Sequence, residues 1–397
     1  MPLPRGIRYY GAADLSGYGQ ASIAYVRGLV NAGVPVQWIP LDWAPERMQV
    51  GTWSRPLVQQ HGNDGWLADL PTLIQQTSAP LDCDTIIAHA PPEFWPFAFE
   101  PGKRNIGYAA WETDRAPAHW LPLLRQADRV LVPCTQNRDA FVRSGLSKPI
   151  EIVPHIRRHR WCEFSPSDID AARQDLGIPS DHRVFYTINA WDPRKALPDL
   201  IAAFAMAFDE SDRVALVIKT QATGHAPGPL YPRMATRTLA TQAISEIAAV
   251  LKRAAPLIVL LDEELNADAI DLIHAVGDVF VSLSRGEGFG LGAFEAATLG
   301  KPVIMTGWGG HRDFLGDDWP GAIRYRFAPV PLWPPDRPSY FPSQRWAEPD
   351  RAAAARLMRE TFDNPLLMHI AARRIREQIV ERYAEPVVVA QLLDAIA

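Results

Sequence analysis

The stretch Val279 to Met305, VFVSLSRGEGFGLGAFEAATLGKPVIM, carries the reading of the fold. Val279 to Ser282 makes a short apolar strand suited to burial on both faces, and a glycine-rich turn follows it. Leu291 to Leu299 then has apolar residues at helical spacing and stops at Gly300, and Pro302 to Met305 opens a second buried strand. Strand, turn, helix and strand in one short span form a parallel crossover unit, the building block of α/β layering.

The same alternation extends outward on both sides. Upstream lie strands Arg183 to Ile188, Val214 to Lys219 and Ile258 to Leu261, separated by helices Leu197 to Phe208, Leu239 to Ala254 and Asn266 to Ala275. Nearer the N-terminus, Gly6 to Tyr10 reads as a strand, Ala12 to Gly19 as a glycine-rich turn and Gln20 to Ala32 as a helix stopped by Gly33. Strands Val34 to Trp38, Thr85 to Ala88, Asn105 to Ala109, Arg129 to Val132 and Ile150 to Val153 complete a first sheet. Between the two series, Pro154 to Arg183 is polar and weakly patterned, with a helix at Ile169 to Leu176, and reads as a linker and entry helix. The expected organisation is therefore two doubly wound domains, 1–165 and 166–383, with a C-terminal helix at 384–397 packing back on the first. Ligands are expected in a cleft between them, beside the strand C-termini.

Composition narrows the function. The 397 residues are 47% hydrophobic and 21% charged, the balance of a globular protein with enough chain for two cores. With 40 basic against 45 acidic residues and no block of like charge, binding of nucleic acid through phosphate neutralisation is disfavoured. The 36 prolines are spread through loops, which makes the chain loop-rich without low complexity. Three cysteines, Cys83, Cys134 and Cys162, without CxxC spacing argue against a disulfide framework or a cysteine-based zinc site. No segment reaches the roughly 18 apolar residues of a membrane span, and MPLPRGIRYYGAADLSG has no signal-peptide core. The expectation is a cytoplasmic protein, with peripheral contact at the inner face of a membrane compatible with it. Gly316 to Trp346, with Trp319, Trp333, Pro334, Pro335 and Tyr340, is an aperiodic arm of the kind that shapes pockets.

Chemistry concentrates in Ser284 to Glu295. Amides near Gly288, Phe289, Gly290 and Leu291 should point out of a helix N-terminus, where an anion is favoured, and glycine lets backbone approach it closely. Glu287 and Glu295, with seven residues between them, can grip two ends of one ligand, and carboxylates suit sugar hydroxyls. Acids at a helix start also complement its dipole without any ligand.

EGFGLGAFE followed by Lys301-Pro302-Val303-Ile304 closely resembles the Glu–seven–Glu signature of the retaining family-four glycosyltransferases. That resemblance implies the GT-B fold, two facing Rossmann-like domains, with Glu287 on donor-sugar hydroxyls and Glu295 on the nucleotide ribose. It further implies that Ser16-Gly17-Tyr18-Gly19-Gln20 lies against the diphosphate. Trp191-Asp192-Pro193-Arg194-Lys195 matches the family's cationic diphosphate clamp, with Lys195 at the lysine position and Arg194 one plausible substitute for an arginine that would fall near Ala190. Lys219 is a further donor-side candidate or a strand end. His89 is the candidate for the histidine that approaches the reacting sugar carbon, with His155 and His311 behind it. Tyr18, Glu112 and Asp114 are acceptor-side candidates; an N-cap is the alternative for Asp114. Thr306 to Asp313 resembles the family's second glycine turn, with Trp308 lining or roofing the pocket.

The resemblance implies transfer from a nucleoside-diphosphate sugar, uridine- or guanosine-linked, to a saccharide or lipid-linked acceptor, as in polysaccharide or glycoconjugate biosynthesis. No metal and no resident cofactor are expected, in keeping with the absence of HExxH, Walker and DxD motifs. The rival readings are a nucleotide-sugar epimerase, a phosphorylase and a non-catalytic binder of sugar nucleotides. Oligomeric state is not legible.

Overall fold

The computed structural model describes residues 4–44, 47–50, 65–158, 160–226, 232–331 and 339–397. Trp333, Pro334 and Pro335 lie outside the described residues, as does 227–231 of the loop before the 236–251 helix. The chain divides into two compact units. One comprises 1–162, 266–268 and 379–397, and the other 163–265 and 269–378.

The first unit is built on a seven-stranded sheet in the order β3-β2-β1-β4-β5-β6-β7. Its strands are β1 Ile7–Ala12, β2 Val36–Ala44, β3 Arg47–Val50, β4 Thr85–His89, β5 Arg104–Tyr108, β6 Arg129–Val132 and β7 Ile150–Ile152. Only β3 runs antiparallel. Helix Gly17–Asn31 starts earlier than the sequence pattern suggests, because the Ser16 side chain accepts from the Gly19 N–H and caps it. Gly17 and Gly19 thus stand in the first helical turn and not in a loop, a cap bond outweighing their poor helix propensity. Gly19 is needed for space, since a Cβ there would come 2.1 Å from the Asp14 carbonyl oxygen. The helix Glu385–Ile396 lays Val388, Val389, Leu392 and Ile396 into the core of this unit, where Gly28 leaves room for Val389.

The second unit carries a wholly parallel six-stranded sheet in the order β12-β9-β8-β13-β14-β15. Its strands are β8 Arg183–Ile188, β9 Val214–Lys219, β12 Leu257–Leu261, β13 Val279–Ser282, β14 Val303–Thr306 and β15 Ala322–Ile323. Two hairpins stand apart from it, β10 Thr223–His225 with β11 Arg233–Ala235, and β16 Tyr325–Pro329 with β17 Arg345–Pro349. Strands β8, β9 and β13 supply Phe185, Leu216, Ile218, Val279 and Val281 to one core with Leu200, Ile201 and Phe204 of helix Leu197–Ala207. Such continuous apolar strands are what a sheet covered on both faces requires.

In each sheet the strand order reverses direction once, at β1/β4 and at β8/β13. Connections leave to opposite sides at such a point, which opens a crevice at the strand C-termini. His89 ends β4, while the loops after β8 and β13 carry Arg194, Lys195 and Glu287. The three cysteines are free thiols. No helix among the described residues is long and apolar enough to cross a membrane.

Candidate functional site

In the second unit, the loop after β8 ends in a single 3-10 turn, Pro193–Lys195, opened by Asp192, whose side chain accepts from the Arg194 N–H. Ala196 then takes a left-handed backbone conformation, φ +51°, a strained state for a residue with a Cβ.

The loop after β13 meets it. Lys195 Nζ donates to Glu287 Oε1 at 2.6 Å, and Arg194 Nη1 lies 3.4 Å from Glu287 Oε2 and 2.6 Å from the Gly286 carbonyl oxygen. Glu287 is buried at 7% exposure. Burial alone would push its carboxyl up, but Lys195, Arg194 and the hydrogen bonds from Lys195 and Ser284 hold it at about 2. The Lys195 ammonium is lowered too, below its usual range, because burial and Arg194 outweigh the attraction of Glu287. Arg194 and Lys195 face Glu287 with Asp192 close by, and Glu287 stays ionised at any pH near neutrality. It can accept from hydroxyls and orient cations, and it has no proton to give.

Glycine shapes the floor of this site. Gly290, at φ +92°, caps helix Leu291–Thr298, and a Cβ on it would sit 3.3 Å from His311 Cβ. Gly309, at φ +138°, would place a Cβ 3.0 Å from the His311 ring and 3.3 Å from the Glu287 nitrogen. The Gly310 N–H donates to the Glu287 carbonyl oxygen, so the 306–313 turn and the glutamate loop are stitched together. His311 donates from Nε2 to the Thr306 carbonyl oxygen, and burial pulls its imidazole down to about 4.

Glu295, one turn into its helix, is buried and faces His274 Nε2 at 3.3 Å. Phe289 turns its ring into the core against Phe294 and Phe314, so what it offers a ligand is backbone. Trp308 packs edge-on against Phe327. Lys219 Nζ donates to the Thr220 carbonyl oxygen at the end of β9 and meets neither Glu287 nor Glu295 in a direct contact.

In the first unit, His89 is 1% exposed inside a ring of tyrosines, with Tyr108 centred 4.2 Å away and Tyr18 at 5.3 Å. Its Nδ1 is met by the Tyr9 hydroxyl at 2.6 Å and the Ser22 hydroxyl at 3.1 Å. A tautomer with the ring proton on Nε2 lets Nδ1 accept from these hydroxyls. Burial, helped by His155, holds His89 well below the usual histidine range, so it is neutral at physiological pH. Tyr18 bonds the Ala110 backbone through its hydroxyl, which receives the Ala110 N–H at 2.9 Å. The next loop is clamped by Asn137, which pairs both backbone groups of Trp111 at 2.7 Å, and it carries half-buried Glu112 and buried Asp114.

Two supporting sets escaped the sequence reading. Arg285, inside the glutamate motif, donates to Asp199 Oδ2 at 2.7 Å, to both Glu348 oxygens at 2.6 and 2.8 Å, and to the Pro193 carbonyl oxygen. It thereby ties the Arg194–Lys195 turn to β17. His274 and Tyr186 are the other set. An arginine beside the motif was visible, but its partners are far away in sequence.

Comparison with known proteins bears on this geometry. Residues 227–392, which include both glutamates, match a family described as Family 4 Glycosyltransferase in conflict systems. The chain is 32% identical over 163 residues to a D-inositol 3-phosphate glycosyltransferase of Geodermatophilus obscurus, covering 40% of this chain and 34% of that protein. The stretch carrying Glu287 and Glu295 is thus similar to family-four glycosyltransferases. A second D-inositol 3-phosphate glycosyltransferase, from Catenulispora acidiphila, is 27% identical over 203 residues, or 50% of this chain and 44% of the relative. The chain thus spans about a third to under a half of the length of these relatives. The fold is matched over nearly the whole length. Anabaena Alr3699/HepE, solved with UDP-glucose, superposes with a TM-score of 0.64 at 15% identity over 98% of both chains. The lipopolysaccharide glycosyltransferase WaaG gives 0.60 at 15% identity over 98% of this chain and 99% of that one. Both units are Rossmann-like, and the fold is GT-B.

Among the described residues, no group of three or more His, Cys, Asp or Glu side chains is placed to hold a metal ion.

Proposed function

We propose that this chain is a family-four glycosyltransferase that transfers a sugar, with retention of anomeric configuration, from a nucleoside-diphosphate sugar to a hydroxyl of a saccharide or lipid-linked acceptor. The observation that carries the reading is the buried Lys195–Glu287 pair, with Arg194 beside it, at the strand-order reversal of the second sheet. Cleaving the bond to the nucleotide leaves negative charge on the terminal phosphate. The fixed Arg194 and Lys195 cations and a glycine-opened helix mouth are preorganised for that charge. Glu287, ionised at about 2, accepts from donor-sugar hydroxyls and keeps Lys195 aimed.

Because Glu287 carries no proton near neutrality, the departing phosphate oxygen is the proposed acceptor of the incoming hydroxyl's proton. That hydroxyl attacks the face from which the phosphate leaves, and no enzyme nucleophile is required. Glu295 is assigned to the nucleotide ribose, Gly288 to Leu291 to the donor through backbone, and Lys219 to the donor side. Acceptor binding is assigned to the first unit through Tyr18, Glu112 and Asp114, with neutral His89 offering Nε2–H to the donor sugar. Gly17 is kept as a donor-side residue, while the Gly19 amide is engaged by Ser16. Neighbours solved with UDP or UDP-glucose favour a uridine-linked over a guanosine-linked donor. The proposed setting is the cytoplasm, at the inner face of a membrane where the acceptor is lipid-linked.

The test is nucleotide release from UDP-glucose and GDP-linked sugars, with and without saccharide acceptors, in wild type and in the separate Glu287→Ala and Glu295→Ala variants. Acceptor-stimulated release, an axial-to-axial or equatorial-to-equatorial product by proton NMR, and loss of turnover in both variants support the reading. Tight binding without turnover supports a sugar-nucleotide binder, and sugar interconversion on an intact nucleotide supports an epimerase.

A further inference from the structure

We infer that His274 is a positioning residue for Glu295, its Nε2–H fixing the plane of the carboxylate while Tyr186 holds the other side of the ring. The inference rests on the proposed function, which assigns Glu295 to the nucleotide ribose.

Three elements of the second unit meet here: β8 supplies Tyr186, helix Ala267–Val276 supplies His274, and helix Leu291–Thr298 supplies Glu295. Tyr186 and His274 are fully buried and Glu295 nearly so. The Tyr186 hydroxyl lies 2.9 Å from His274 Nδ1, and His274 Nε2 lies 3.3 Å from Glu295 Oε2. Burial, with Glu295 and Asp278 nearby, raises the Tyr186 phenol well above its usual range, so its hydroxyl keeps its proton, and because a carboxylate at Nε2 can only accept, Nδ1 is the nitrogen left to receive the phenol's hydrogen bond. The ring proton then resides on Nε2, facing the carboxylate.

The ring itself cannot turn. Tyr186 stands edge-on to both His274 and Phe280, with centroids 5.5 and 5.4 Å away, and β8 and β13 pair Tyr186 with Phe280 directly. Gly277 makes room for the phenol, since a Cβ there would fall 2.2 Å from Tyr186 Cδ1. A carboxylate that discriminates a ribose hydroxyl from hydrogen must present its oxygens at fixed angles, and a short aliphatic stem alone leaves that torsion broad. Tyr186 and His274 supply the missing constraint from behind.

The experiment measures affinity of the full chain for UDP and GDP by calorimetry, then for the 2′- and 3′-deoxy forms of whichever binds. His274→Phe keeps a ring and removes the donor, His274→Gln restores a donor, and thermal melting checks that each variant is folded. The expected result is about a tenfold preference of wild type for the ribonucleotide, falling to about twofold in His274→Phe and in Glu295→Ala, with His274→Gln recovering most of it. Affinity for the deoxynucleotide should change less than about twofold in His274→Phe. Equal weakening of both nucleotides, or an unchanged preference in His274→Phe while Glu295→Ala abolishes it, overturns the inference and leaves the proposed function standing. Failure of wild type to bind either diphosphate, or an unchanged preference in Glu295→Ala, overturns the ribose assignment beneath it.

Discussion

Lys195 Nζ stands 2.6 Å from Glu287 Oε1 in a pocket where both side chains are largely buried, and Arg194 reaches the other oxygen of the same carboxylate. Removing one member of such a pair leaves a buried charge short of its partner. Lys195→Met is therefore expected to lower donor turnover by roughly 10²- to 10³-fold, the scale of losing one preorganised donor. Pairing it with Glu287→Gln in a double-mutant cycle should show strong non-additivity in both turnover and melting temperature. Additive losses would mean that the two residues act separately.

Glu287 also makes stability depend on pH. Its folded carboxyl, at about 2, lies below the 4.5 of the free group. A depressed carboxyl contributes stability that is fully present above about pH 4.5 and is lost as pH falls toward 2, about 3 kcal/mol in all. Urea denaturation of wild type should accordingly steepen in its loss of stability between pH 4.5 and 3, and Glu287→Gln should flatten that segment. Parallel curves for the two proteins would refute the assignment.

Buried histidines set a separate window. His155 is held at about 3 by burial and His311 at about 4, both below the 6.5 of free imidazole. The unfolded chain takes up their protons first, so each removes stability as pH falls below 6.5, by about 1.4 kcal/mol per pH unit. Between pH 6.5 and 5, where most carboxylates are still ionised, His155→Phe should reduce the slope of stability against pH by about one proton. The phenyl ring keeps the packing against Tyr25 and Tyr108.

Arg285 braces the cationic turn with a geometry that lysine lacks. Its guanidinium spans Asp199, both oxygens of Glu348 and the Pro193 carbonyl oxygen, and Trp346 lies over it with its centroid 5.4 Å away. Arg285→Lys keeps the charge and loses the fork. It is expected to cost about 1–3 kcal/mol in chemical denaturation and to raise the KM for donor by loosening Pro193 to Lys195.

Local pattern carried most of the fold. Strands such as Arg183–Ile188 and Val214–Lys219 are apolar on both faces, and the glycines after β13 mark where the chain turns into a helix, so element type and the glutamate pair were readable without coordinates. Boundaries were less so. Gly17 and Gly19 look like loop residues, and only the bond from the Gly19 N–H to Ser16 Oγ shows why the helix already begins there. Helix Thr236–Leu251 likewise starts before its apolar stripe, with Thr236 bonded to the Gln221 carbonyl oxygen. What sequence could not supply was pairing over distance. Nothing local tells that Arg285 will find Glu348, that Lys195 will close on Glu287, or that Tyr186 and His274 will stand behind Glu295. The same limit applies to His89, whose enclosure by Tyr9, Tyr18, Tyr25 and Tyr108 depends on how β1, β4, β5 and the 17–31 helix pack.

The most direct measurement is calorimetric titration of the full chain with uridine, guanosine and adenosine diphosphates, repeated on Lys195→Met. One diphosphate, the uridine form first, is expected to bind wild type and to lose at least about tenfold in affinity when the ammonium is removed. Binding of none of the three, or binding that is indifferent to Lys195, would contradict this expectation.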